Sequence, residues 1–207
     1  MTIRTPRLVL RDLVPSDAQA LNEIERDERV TRYMPYAPHT ADDTRRYIEE
    51  DLRRQSEQPR RVFEYAMVPH DAADLIGRCG LRIERPEHRE AMLWYAVHPD
   101  HWRRGYAREA VSALLDRAFG ELALHRVFAD CDPRNTPSCR LAERMGMTLE
   151  GRLRENYFLK GEWCDSMIYG ILDREWKAIR ERDAKHVTER DAPASAAGNS
   201  PDSAFRR

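Results

Sequence analysis

The segment Trp102-Arg103-Arg104-Gly105-Tyr106-Ala107-Arg108 groups cationic side chains around a glycine, between a predicted strand and a predicted helix. The apolar run Met92 to Val97 predicts a buried strand that stops before Pro99. An amphipathic pattern from Ala107 to about Gly120 predicts the helix. The first N–H groups of a helix have no partner within it and lie at the positive end of its dipole. The segment therefore predicts an anion site made of backbone donors, with an ordinary strand-to-helix turn as the alternative.

A second polar pair, Asn135 and Ser138, stands at the start of a later predicted helix. The strand before it, Arg126 to Cys131, follows the helix just described, and this strand-helix-strand spacing implies that it runs parallel to the Met92 strand. Two parallel neighbours in an otherwise antiparallel sheet can splay and leave a slot between them. Asn135 also suits a plain helix cap, and Ser138 could be a first-turn residue without chemistry.

Several motifs together resemble one family. Residues 102–107 resemble motif A of the GNAT superfamily of acetyl-coenzyme A-dependent N-acetyltransferases, which reads Gln or Arg, two variable residues, Gly, one variable residue, then Gly or Ala. Trp102 departs from the first position and looks like the RimJ/RimL branch, which acetylates ribosomal protein N-termini and includes relatives with other substrates. The opening TPRLVLRDLVPSDAQAL, the pattern Asn135-x-x-Ser138 and the strings LEGRLREN and KGEW resemble the same branch. The resemblance covers about residues 5–172.

The resemblance implies a binding site for acetyl-coenzyme A (acetyl-CoA). The residues that would bind the diphosphate are those of the turn, Arg103, Arg104, Gly105, Tyr106, Ala107 and Arg108. It implies that the backbone near Val97, commonly at a bulge, binds the pantetheine arm and polarises the thioester carbonyl. It also implies that Asn135 contacts coenzyme A and that the Ser138 hydroxyl lies near the sulfur.

Transfer of acetyl to an amine requires a neutral amine, whereas an alkyl amine with a pKa of about 10.4 is mostly protonated at pH 7. Glu64 in mid-strand and Glu155 in a predicted loop are candidate bases, although each also fits a plain surface charge. We predict Ser138 and Glu64 as the catalytic pair. Tyr33 and Tyr36 are candidates to contact the acceptor, with packed loop aromatics as the alternative.

The element pattern predicts an α+β fold of GNAT type. We expect a mixed, mostly antiparallel central sheet, splayed at one parallel strand pair, with helices on both faces. Phe63 to Val68 and Leu75 to Leu81 predict a hairpin. The last two strands, 147–152 and 166–172, are expected to flank a loop that contains Tyr157. A single domain should cover residues 1–185, and the small, polar residues 186–207 predict a disordered tail.

Composition and residue spacing argue against a nucleic-acid-binding, a membrane or a metal-binding protein. The 207 residues carry a net charge of -1, so no overall basic field argues for nucleic acid. No run of eighteen apolar residues and no secretory leader are present, which predicts no membrane partner and a cytoplasmic location. The cysteines Cys79, Cys131, Cys139 and Cys164 match no zinc spacing, so we expect free thiols and no metal. His98 and His101 fit a solvated loop better than a metal site.

We therefore expect an acyltransferase that moves acetyl from acetyl-CoA to a primary amine by direct attack in a ternary complex. The acceptor would be a protein N-terminus or a small-molecule amine, and a homodimer is compatible with the sequence. The alternative is a non-catalytic GNAT domain that binds acyl-coenzyme A as a sensor or interaction module. In some RimJ/RimL enzymes a carboxylate lies about where Tyr157 falls, so an acceptor other than a ribosomal protein also fits.

Overall fold

A twisted sheet of eight strands forms the centre of the computed structural model, which describes residues 2–191. The strands are β1 Thr2–Arg4, β2 Leu8–Asp12, β3 Val62–Pro69, β4 Gly77–Arg85, β5 Glu90–Val97, β6 Arg126–Cys131, β7 Thr148–Leu159 and β8 Glu162–Leu172. Their order across the sheet is β1-β2-β3-β4-β5-β6-β8-β7. The predicted hairpin is confirmed, because β3 and β4 pair antiparallel.

Helices cover both faces of this sheet. They are α1 Ala18–Glu25, α2 Glu28–Thr31, α3 Ala41–Gln55, α4 Tyr106–Phe119, α5 Thr136–Arg144 and α6 Asp173–Asp191. Successive side chains of a strand point to opposite faces. Thus Tyr65 and Met67 of β3 join the core beneath α4 and α5, while Ala66 and Val68 join a second core beneath α1 and α3. The predicted α+β fold, with helices on both faces, is confirmed.

The sheet splays where its one parallel pair lies. β6 pairs with β5 only at Glu90, Ala91 and Met92, although β5 continues to Val97. All other neighbouring strands pair antiparallel. The ends of β5 and β6 therefore separate as the sequence predicts, and the elements that follow them, α4 and α5, begin on either side of the gap.

Several boundaries differ from those predicted. The loop expected at 153–163 is strand, because β7 and β8 extend to a tight turn at Lys160 and Gly161. Side chains of β7 are mostly exposed, so it lacks the apolar alternation that marks a strand. The helix expected to end near Lys185 runs to Asp191, so it enters the segment 186–207 for which a disordered tail is predicted. Residues 192–207 of the predicted tail lie outside the described residues.

Candidate active site

The turn before α4 has left-handed backbone conformations at Arg103, with φ 60°, and at Gly105, with φ 82°. Turns of this kind gather backbone N–H groups into anion-binding concavities. The first helical bond of α4 joins Glu109 N to Gly105 O at 3.1 Å. Within residues 2–191, no protein group accepts the backbone N–H groups of residues 103–108. This row of unpaired donors is what an anion site requires.

Cationic side chains surround these donors. Arg103, Arg104 and Arg108 are exposed, so their charges face the solvent beside the turn. Tyr106 and Ala107 are half-buried and pack against the main core, which anchors the first turn of α4. The turn therefore combines a fixed helix start with a positive rim, and both favour an anion.

The backbone of Val97 faces the gap between β5 and β6. His98 N–H donates to Ile76 O at 2.8 Å, and neighbouring residues of an antiparallel strand direct their backbone groups to opposite sides. Val97 therefore directs its N–H and C=O away from β4. The Trp102 indole donates to Val97 O at 2.7 Å, which leaves the N–H as the donor towards the gap. The β4–β5 register has no shift from Gly77 to Ile83, so the bulge that is common in the resembling family is not seen in this pairing.

Between the splayed strands, on the side of α4 and α5, lies a cavity of about 20 Å³. It is lined by Leu93, Tyr95, Val111, Ala129, Cys131, Ser138, Leu141, Ala142, Met145 and Met147. A cavity of this size holds about one water molecule. The inner gap between the strands is thus nearly filled by side chains and does not form the open slot that the sequence leads us to expect.

Ser138 lies in the first turn of α5, at the edge of this cavity. Asn135 caps the helix, with its side-chain oxygen 3.4 Å from Ser138 N, so its predicted capping role is confirmed. Tyr95 donates its hydroxyl hydrogen to Ser138 Oγ at 3.0 Å. Burial raises the pKa of Tyr95, so the phenol stays protonated and remains a donor. Ser138 Oγ consequently has its own hydrogen free to donate elsewhere.

Glu64 lies on the opposite face of the sheet, beneath α1 and α3, and is 1% exposed. Its Oε2 accepts from Tyr47 Oη at 2.8 Å and from Trp94 Nε1 at 3.0 Å, and its Oε1 accepts from Arg78 at 3.1 Å. Arg78 also donates to the buried Glu25 at 2.5 Å. Burial raises the pKa of Glu64, although Arg78 opposes this. We name Glu25, Tyr36, Tyr47, Glu64, Arg78 and Trp94 the buried network.

The two loop aromatics have different surroundings. Tyr36 Oη accepts from Arg78 at 2.6 Å, so Tyr36 is part of the buried network. Tyr33 lies 5.8 Å from the guanidinium of Arg134, which follows β6. The turn between β7 and β8 reaches the end of α2, where Lys160 Nζ donates to Thr31 O at 2.6 Å. The turn between β7 and β8, α2 and the loop of Tyr33 therefore lie together near the end of β6.

These features match a known family. The model of the acetyltransferase (GNAT) domain matches residues 7–148 of the chain. The chain belongs to the GNAT acetyltransferase family. Residues 7–148 contain the turn of Gly105, the gap and Ser138, so the membership covers all parts of the candidate cofactor site.

Relatives of this GNAT protein come from several bacteria. An uncharacterized N-acetyltransferase, YnaD of Bacillus subtilis, is 32% identical over 85% of this chain and 99% of its own. A putative ribosomal N-acetyltransferase, YdaF of Bacillus subtilis, is 30% identical over 82% and 93%. Spermidine N(1)-acetyltransferase of Vibrio cholerae is 26% identical over 77% and 89%. A GNAT acetyltransferase structure from Bacillus anthracis is 30% identical over 84% and 100%, with a TM-score of 0.76.

Sequence reasoning missed several side chains at the site of this GNAT protein. Tyr95 was not singled out, nor were Arg78 and Trp94. A lone arginine inside an apolar strand is one signal that could have found Arg78, because a buried charge requires partners. Glu155, expected in a loop, lies in β7 with φ 48° at an irregular point of the register. Its N–H donates to Asp165 at 2.8 Å.

Among residues 2–191, no group of three or more His, Cys, Asp or Glu side chains could hold a metal ion. All four cysteines are buried free thiols. In the described part of the GNAT chain, no helix has the length and apolar character needed to span a membrane.

Proposed function

We propose that this protein transfers an acetyl group from acetyl-CoA to a primary amine. The observation that carries the proposal is the row of unpaired N–H groups at residues 103–108, flanked by exposed arginines. A diphosphate offers the charge and acceptor oxygens that such a row binds. Family membership supports the same co-substrate, since GNAT proteins are acetyltransferases.

In the proposed reaction, the amine nitrogen attacks the thioester carbon and a new C–N bond forms. The C–S bond then breaks, the sulfur leaves as a thiolate, and the nitrogen loses a proton. Val97 N–H is the proposed donor to the arm or to the carbonyl oxygen. Ser138 is the proposed donor to the sulfur, because Tyr95 satisfies its oxygen and leaves its hydrogen available. A thiol pKa of about 8.5 makes the thiolate a fair leaving group, so this help is modest.

Glu64, predicted as the general base, fits a positioning role better. A base must come within hydrogen-bond reach of the proton that it removes. Both oxygens of Glu64 already accept hydrogen bonds from protein donors, and the side chain is 1% exposed. We therefore propose that Glu64 fixes Trp94 on β5, and that the acceptor amine loses its proton through water.

The acceptor is the least defined part of the proposal. Relatives carry names that include a spermidine acetyltransferase and a putative ribosomal acetyltransferase. Both substrate types present a primary or N-terminal amine, and we propose an acceptor of this class, small or peptidic. The RimJ/RimL-like motifs favour a peptide N-terminus, whereas Tyr157 replaces the carboxylate of some RimJ/RimL enzymes. Buried free thiols fit a reducing compartment, so we propose that the reaction is cytoplasmic.

A thiol-release assay with acetyl-CoA tests the proposal. Acceptors would include spermidine, spermine, simple alkyl amines and short peptides with free N-termini, each at several concentrations. Calorimetry with coenzyme A would run in parallel. Turnover on one class of amine supports the transferase and assigns its acceptor. Binding of coenzyme A without turnover on any amine supports the non-catalytic sensor instead, and no binding contradicts both.

A further inference from the structure

The N-terminal segment is hydrogen-bonded to the first turn of α4 through the carboxylate of Glu109. Thr5 Oγ1 donates to Glu109 Oε1 at 2.6 Å, Arg7 N donates to the same oxygen at 2.7 Å, and Arg7 Nε donates to Oε2 at 2.7 Å. Burial raises the pKa of Glu109, but these hydrogen bonds outweigh burial and leave the pKa below its ordinary value. Glu109 is therefore an ionised carboxylate with both oxygens occupied.

Arg7 also contacts the turn at residues 103–108. Its NH1 donates to Arg104 O at 2.8 Å, and its guanidinium lies 4.7 Å from the ring centre of Tyr106. A Cβ placed on Gly105 would stand 3.3 Å from Arg7 NH2. The arginine thus contacts the residues on both sides of Gly105 and packs beside Gly105.

We propose that Thr5, Arg7 and Glu109 form a clamp that positions the diphosphate-binding turn for acetyl-CoA. The inference rests on the proposed function. It assigns a role to the segment Thr5-Pro6-Arg7, which takes no part in the reaction proposed above. Its residues are positioning residues, because they act through the backbone of the turn.

Two physical effects support the clamp. The left-handed conformations at Arg103 and Gly105 are sparsely populated in a free loop, so a fixed turn binds with less ordering on association. Arg7 also forms an ion pair with Glu109. Without Arg7, an unpaired negative charge would stand in the first turn of α4, close to the proposed diphosphate site. Loss of Arg7 removes both effects, whereas loss of the Thr5 hydroxyl removes one hydrogen bond to Glu109 and its local contacts with the Leu8 backbone, and leaves Arg7 in place.

The test compares two acetyl donors in the full-length protein. S-acetylpantetheine carries the thioester arm but no diphosphate, so a displaced turn affects acetyl-CoA alone. In Arg7→Gln we expect the KM for acetyl-CoA to rise about tenfold with kcat within about twofold, the size of one lost charge-assisted hydrogen bond. The kcat/KM for S-acetylpantetheine should stay unchanged. Thr5→Val should shift the acetyl-CoA KM in the same direction by less.

The matched control is Arg11→Gln on β2, which breaks an ion pair with Asp17 in the turn before α1, away from α4. It should leave both KM values unchanged. Equal losses for both donors in Arg7→Gln, or no loss for either, would overturn the clamp. If the wild type shows no turnover, coenzyme A and pantetheine affinities from calorimetry replace KM. Coenzyme A binding weakened only in the clamp variants then supports the clamp although the transferase proposal has failed, while wild-type protein that does not bind coenzyme A overturns both.

Discussion

The turn at residues 103–108 and the buried network are built by different means. The turn at residues 103–108 is one contiguous piece of backbone, whose donors lie at a helix start beside a glycine. The buried network on the other face joins side chains from α1, α3 and three strands, and its Arg78–Glu25 pair spans 53 positions of sequence. A local substitution should therefore disturb the turn alone, whereas the network should respond as one unit with the fold.

The largest expected effect is on the network. Arg78→Met leaves Glu25 and Glu64 buried without their shared cation, and breaking a buried pair in this way costs about 3–5 kcal/mol of unfolding free energy. Denaturant unfolding measures the loss. Arg82→Met is the matched control on the same strand, where a half-exposed arginine pairs with Glu84 and should contribute at most about 1 kcal/mol. Equal losses in the two variants would contradict a stabilising network.

The next effect is on the turn. Gly105→Glu adds left-handed strain, a Cβ beside Arg7 and a negative charge, so affinity for coenzyme A should fall roughly 100-fold. Gly105→Ala adds the strain without the charge and should weaken binding about tenfold. Calorimetry measures both. Gly161→Glu is the control, since that glycine also has a positive φ but lies in the distant β7–β8 turn with open space around it.

Unchanged affinity in Gly105→Glu would falsify the diphosphate site and leave the turn as ordinary chain. A fall in Gly161→Glu as large as that in Gly105→Glu would instead indicate a general loss of folding. The comparison of the two regions thus becomes quantitative: Arg78 variants should change stability with little change in cofactor affinity, and Gly105 variants should do the reverse.

The same contrast explains what the sequence could predict. The turn, the parallel pair and the cap at Asn135 depend on neighbours in the chain, so local patterns were enough to find them. Partners of Glu64 come from distant elements, and alternation along β5 gives the direction of Trp94 but not what it meets. The Glu109 contacts with Thr5 and Arg7 span more than a hundred positions and likewise required the fold.

A smaller effect is expected at the leaving group. Ser138→Ala removes the proposed donor to the sulfur, and kcat should fall about tenfold, less than for a typical oxyanion-hole donor, because the thiolate leaves readily. Tyr95→Phe keeps Ser138 but removes the hydrogen bond that orients its hydroxyl group. The fall in kcat should therefore be smaller than in Ser138→Ala. Single-turnover acetylation at saturating acetyl-CoA separates this step from binding. A wild-type rate in Ser138→Ala would remove Ser138 from the chemistry.

The smallest effect distinguishes the two carboxylates that share Arg78. Burial raises the pKa of Glu64 above its unfolded value, so its contribution to stability is full below about pH 4 and is lost as pH rises through the folded pKa. For Glu25, burial raises the pKa, but the effect of Arg78 is larger and leaves the pKa below its ordinary value. The contribution of Glu25 to stability is therefore present above about pH 4 and is lost on acidification. Unfolding free energies at pH 3 and pH 5 test Glu25, and those at pH 5 and pH 8 test Glu64, because the two contributions change on opposite sides of the unfolded pKa of about 4.

Relative to wild type, Glu64→Gln should therefore become more stable as the pH rises from 5 to 8. Glu25→Gln should become less stable than wild type as the pH rises from 3 to 5. If the unfolding free energies of the two variants depend on pH in the same way, Arg78 does not act differently on the two carboxylates. The same Glu64→Gln protein also settles the role of this residue in turnover. A general base replaced by an amide loses about 100-fold or more in kcat. A residue that only holds Trp94 keeps most of kcat, since the amide oxygen can still accept the indole hydrogen bond.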